Sequence, residues 1–199
     1  MDYQQFSDII FDLQQKDFEL RNHLISTGKL GEGYNAEMAE LHDSNASILE
    51  KIINEIGFPT VEKLGSESAY AGWIIIQHSI GKPHFMKKCA ELLAIEVQRK
   101  KADPRNLAYL TDRIAVFENK PQNYGTQFDW DENGELTASP VDDIKKVNQR
   151  RKSLGLNTLQ EQTEIIRKQA KAENHLPPED FEKRKAEMEN WKRNVGWIK

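Results

Sequence analysis

The sequence predicts a mainly α-helical fold, a bundle-like single domain with a small β-hairpin and a charged C-terminal helical tail. Three observations predict it. Apolar residues recur at helical spacing from Asn35 to Asn119. Asn133-Gly134 stands between two extended-looking pieces, a strong short-range signal for a hairpin. Toward the C-terminus, charge so outweighs apolar side chains that the segment cannot build a core of its own. The expected organisation is a helical domain over 1–172, with its hairpin near 122–140, and a peripheral tail over 173–199.

Taken in order, Phe6, Ile9, Ile10 and Leu13 mark a first helix or two, extended by Phe18, Leu20 and Leu24 and ending near the glycines of "STGKLGEGY". A second helix runs from Asn35 through Met38, Leu41, Ile48, Leu49, Ile52 and Ile53. It stops at Gly57 with Pro59 just beyond, the expected order of C-terminal signals. "FPTVEKLGSES" reads as a connector in which Ser66 or Ser68 caps the next helix, "ESAYAGWIIIQHSIG", whose apolar run predicts burial on most sides. Gly81-Lys82-Pro83 breaks it. Another helix follows with Phe85, Cys89, Leu92, Leu93 and Val97 on one face, and Pro104 opens a further one with Leu107, Leu110, Ile114 and Phe117 inward. After the hairpin, helices resume in "VDDIKKVNQRRKSLGL", which ends at Gly155, and in "NTLQEQTEIIRKQAKAE", capped by Asn157 or Thr158. The tail carries Phe181, Met188, Trp191, Val195 and Trp197, enough to dock a helix on the body or to order with a protein partner.

Composition excludes several function classes. The 199 residues are 38% apolar and 30% charged, which suits one domain with a real core, and the net charge of −4 gives no basic excess that would point to nucleic acid. The single cysteine, Cys89, rules out an intrachain disulfide framework, makes a cytoplasmic protein the simplest reading, and falls in a helical apolar pattern that predicts a buried thiol. The N-terminus has neither a basic region nor an unbroken apolar core, so no signal peptide is expected, and no apolar run is long enough to span a membrane.

Four polar sets interrupt the apolar pattern. Gln77-His78 ends the run "GWIII", where polar groups need internal partners. Asp112-Arg113 lies inside "AYLTDRIAVF"; adjacent helical residues project about 100° apart, so each side chain needs a partner other than its neighbour. "QNYGTQ" offers Gln122, Tyr124, Thr126 and Gln127 around Gly125, either to recognise a polar ligand or to anchor the hairpin and hold Asp112 and Arg113. His42 and Asn45, three apart, share a helical face. A metal site from His42, His78 and Asp112 finds no support in HExxH, CxxC or EF-hand spacing, so no metal is expected and no cofactor is named. Phosphate-loop, dinucleotide and nucleophile-elbow motifs do not occur.

The order "NEIGFPTVEKLG", "GWIIIQH", "AYLTDR", "QNYGTQF" and "RRKSLGL" resembles a bacterial family of domains of unknown function, whose members share a Gln-His pair, a Leu-x-Asp-Arg element and a Gln-x-Tyr-Gly-Thr-Gln segment. The likeness covers roughly Leu41 to Gln160 and leaves out the tail and much of the first helix. It implies a map of site residues and no reaction.

Three readings follow. In the first, the protein is an enzyme acting on a small polar or anionic substrate by acid/base chemistry. His78 and Asp112 are then catalytic, and His42, Asn45, Gln77, Arg113, Gln122, Tyr124, Thr126 and Gln127 bind. In the second, the same groups form a non-catalytic binding site for a small molecule or peptide. In the third, they are internal scaffolding and the tail is the contact element.

Overall fold

The computed structural model describes residues 3–29 and 33–199. Leu30, Gly31 and Glu32, part of the stretch expected to end the first helix, lie outside the described residues. The fold class is as expected: the described residues are mainly helical, with one two-stranded antiparallel hairpin. The chain divides into two compact units, Met1–Leu107 and Ala108–Lys199.

The first unit contains α1 (Gln4–Ser26), α2 (Ala36–Ile56), α3 (Val61–His78) and α4 (Pro83–Gln98). Helix α1 is one continuous element whose buried face steps through Phe6, Ile10, Leu13, Asp17 and Leu24, three to four residues at a time or seven across two turns. Phe18 lies off that face and is exposed. Helix α2 starts at Asn35, whose side chain accepts the Met38 amide at 3.1 Å, and ends at Gly57 in a positive-φ conformation. The predicted connector before α3 is partly helical: α3 begins at Val61 and is broken at Gly65, where φ is 76°. Ser68 spends its hydroxyl on Ser7, through Ser7 Oγ at 2.7 Å and Ser7 O at 3.0 Å, and so ties α3 to α1 rather than capping a helix. Cys89 is fully buried in α4, and burial pushes its thiol up to about 12, which leaves it unreactive at neutral pH.

The division between the units falls inside α5 (Pro104–Phe117). The second unit continues with β1 (Phe128–Trp130), β2 (Leu136–Ala138), α6 (Ile144–Ser153), α7 (Leu159–Ala172) and α8 (Phe181–Val195). The strands pair Phe128 with Ala138, Asp129 with Thr137 and Trp130 with Leu136. The loop between them is not the two-residue turn that Asn-Gly favours. It spans 131–135, and the Asp131 carboxylate organises it by accepting the amides of Asn133 at 2.9 Å and Glu135 at 2.8 Å. Helix α7 has the full capping box, Thr158 with Glu161. In the tail, Trp197 stacks on Phe117 with centroids 5.1 Å apart and Trp191 meets the same ring at 5.6 Å. No described helix is long and apolar enough to cross a membrane.

Candidate functional site

Three helices of the first unit bring Asp17, His42 and His78 together. Asp17 is on the buried face of α1, His42 on that of α2, and His78 is the last residue of α3. One ligand-capable atom from each lies within 4.8 Å of the other two. The His78 Nδ1–H donates to Asp17 Oδ2 at 2.6 Å, and His42 Nε2 lies 3.3 Å from Asp17 Oδ1. The second approach is not aligned as a hydrogen bond: both His42 Nε2 and Asp17 Oδ1 are buried and lack a hydrogen-bond partner. The other nitrogen of His42, Nδ1, is 2.7 Å from the Tyr34 hydroxyl. The two imidazole rings lie 5.0 Å apart.

Exposure grades across the cluster. The side chains of Asp17 and His42 are 1% and 8% exposed, whereas that of His78 is 28% exposed. Burial alone would raise the Asp17 carboxyl. The close approach of His42, the hydrogen bond from His78 and the charges of both outweigh it and hold the group well below the usual carboxylate range. Burial, with the charges of Asp43 and Asp17, pushes the Tyr34 phenol up, so it stays protonated. Among the described residues Lys82 Nζ, on the turn after His78, meets only Ser47 Oγ, at 3.4 Å.

The carboxylate on His78 is thus Asp17, in the place the sequence reading gave to Asp112. Asn45 is buried and donates to the Leu13 carbonyl at 3.2 Å, which makes it a tie between α2 and α1. Gln77 is buried beside His78. The remaining candidates lie in the second unit. There the Asp112 carboxylate accepts the backbone amides of Asn123, Tyr124 and Thr126 and the Thr126 hydroxyl, all at 2.9–3.2 Å. Burial pushes this carboxyl up, and those donors pull against the shift. Gln122, fully buried, accepts the Gln127 amide and donates to the carbonyls of Gln127 and Ser139. Arg113 donates to Gln127 Oε1 at 3.1 Å, and burial pushes its guanidinium down.

Arg151 completes this arrangement and was not among the sequence candidates. It is 2% exposed and donates to the carbonyls of Asn157, Tyr124 and Gly125. The "QNYGTQ" loop therefore has its amides on Asp112 and its carbonyls on Arg151. These hydrogen bonds of the loop all run to other groups of the protein. The second unit also holds a cavity of about 550 Å³, lined by Val116, Trp130, Pro140, Phe181, Arg184 and Met188 among others, and no sequence-predicted site residue lines it. In the Asp17 cluster titratable groups meet, and two buried atoms keep unused hydrogen-bonding capacity.

Residues 10–173 match the model of a protein family described as a family of unknown function (DUF6624). The match reaches further in both directions than the likeness in the sequence motifs and takes in Asp17. No curated protein and no solved structure matches the chain.

Proposed function

The chain belongs to the DUF6624 family of unknown function, and we propose that it is an enzyme whose working centre is the Asp17–His42–His78 cluster, acting on a small polar or anionic substrate by acid/base chemistry. One observation carries this reading: a buried carboxylate holds, at 2.6 Å, an imidazole that is itself 28% exposed. A carboxylate on Nδ1 fixes the tautomer and orientation of the ring, so Nε2, which that contact leaves open, is the atom that would take or give a proton. His42 lies 3.3 Å from the other oxygen of Asp17 and has its second nitrogen 2.7 Å from the Tyr34 hydroxyl. The Asp112–Arg151 loop stands in this reading as architecture.

The test is a panel of phosphate monoesters, carboxylic esters and amides, assayed with wild type and His78→Gln. Positioned proton transfer contributes roughly 100-fold to 10,000-fold, so turnover of the preferred class should fall by about that much while the melting temperature stays within a few degrees. Turnover that survives His78→Gln, or a variant that loses its cooperative melt, counts against the proposal. Saturable binding of one panel member without turnover would make the chain a binding module.

A further inference from the structure

We infer that the Asp17–His42–His78 cluster takes one divalent first-row transition-metal ion, with Asp17 Oδ1 and His42 Nε2 as its two fixed ligands and His78 as the third. The inference rests on the cluster being the working centre, and it changes which atom there carries the proton.

Two buried atoms drive it. His42 Nε2 and Asp17 Oδ1 face each other at 3.3 Å, and neither has a hydrogen-bond partner. Native proteins rarely leave such atoms unpaired, and those that remain mark a catalytic role or the place of a water or ion. Neither tautomer of His42 resolves the pair. If the Tyr34 hydroxyl accepts from Nδ1–H, Nε2 presents a lone pair to a carboxylate oxygen, which repels it. If Tyr34 donates to Nδ1, Nε2 carries the hydrogen, and the contact with Oδ1 is still not aligned as a hydrogen bond. A cation between the two atoms removes the conflict. The spacing fits one: bonds of about 2.0–2.2 Å to a shared ion place neighbouring ligand atoms roughly 2.8–3.6 Å apart in octahedral or tetrahedral geometry.

The surroundings fit as well. Metal-ligating histidines engage their second nitrogen with a hydrogen-bonding group that fixes the ring, and Tyr34 does this for His42. His78, hydrogen-bonded to Asp17 at 2.6 Å, is closer than two ligands of one ion stand, and the three ligand atoms lie within 4.8 Å of one another, so taking the ion exchanges the shared proton for it and moves the His78 ring. As the exposed member it also gives the ion a way in. Two imidazoles and one carboxylate suit zinc, iron, cobalt or manganese rather than the all-oxygen preference of magnesium or calcium. Three protein ligands leave coordination positions for water and substrate, and an ion-bound water releases its proton far more readily than bulk water.

The experiment uses the full chain, stripped with a chelator and titrated with Co²⁺, followed by visible absorption, and with Zn²⁺, followed by calorimetry. Native mass spectrometry gives the stoichiometry. One equivalent should bind and raise the melting temperature. Asp17→Asn and His42→Gln should each weaken binding at least about 100-fold, and Tyr34→Phe, which keeps every ligand, by roughly 10-fold to 100-fold. His84→Gln, at an exposed position, should change nothing. No binding by the folded wild type, or binding that Asp17→Asn, His42→Gln and Tyr34→Phe all leave intact, overturns the inference. Turnover by stripped protein that still depends on His78 would overturn the ion and keep the acid/base enzyme. An ion bound at these residues with no His78-dependent turnover would do the reverse.

Discussion

Asp112→Ala should lower the stability of the second unit by about 3–5 kcal/mol, the largest effect expected of any single substitution at the residues first singled out by their chemistry. The carboxylate is fully buried and serves as acceptor for three backbone amides and one hydroxyl. Each buried donor left without an acceptor costs about 1–3 kcal/mol, less whatever water entering the gap restores. The variant also loses the group that sets the path of the chain from 123 to 126, so Gln122 and Gln127 lose their register. A denaturant titration reads the loss as a fall in midpoint. A stability within about 0.5 kcal/mol of wild type would mean that the loop holds its shape without Asp112 and that the carboxylate serves something other than architecture.

Gly125→Ala should cost about 2–4 kcal/mol, for two separable reasons. Gly125 has a φ of 62°, where a side chain costs roughly 1–2 kcal/mol. An added Cβ would also stand 2.7 Å from Leu159 Cδ1 and 3.4 Å from Val141 Cγ1. Leu159 is buried at the start of α7, and forcing it aside costs about 1–3 kcal/mol. Gly125→Ala combined with Leu159→Ala separates the terms. Non-additivity of about 1 kcal/mol or more should appear if the clash is real, and strict additivity would leave backbone strain as the whole effect.

Much of the fold was legible because its signals are local. Asn35, Gly57 and Pro59 bracket α2 by rules that need no tertiary information, and Pro83 and Pro104 open α4 and α5 in the same way. The hairpin was legible as an element. Its loop was not, because the Asp131 side chain, and not the Asn-Gly pair, decides where the strands separate. The site was half legible. His42 and His78 stood out as polar residues on apolar helices. Asp17 did not, because the first helix was read through Phe18 and Leu20, and against that register a carboxylate at 17 looks ordinary. Stepping 6, 10, 13, 17 and 24 along the buried face would have placed it in the core, where an unpaired acid demands a partner. Arg151 carried no such signal. It sits in the strongly charged helix "IKKVNQRRKS", and only the carbonyls of Tyr124, Gly125 and Asn157, far away in sequence or beyond the helix end, make that one arginine a buried one.

The relation on which the functional reading depends is that Asp17 is the acid of His78. Long-range ¹H–¹⁵N spectra of the imidazoles in metal-free protein test it most directly, because they report which ring nitrogen carries the proton and how strongly that proton is hydrogen-bonded. The expected result is a protonated, strongly deshielded Nδ1–H on His78 that persists in folded Asp112→Asn and is lost in Asp17→Asn. A His78 signal that survives Asp17→Asn and disappears with Asp112→Asn would contradict it.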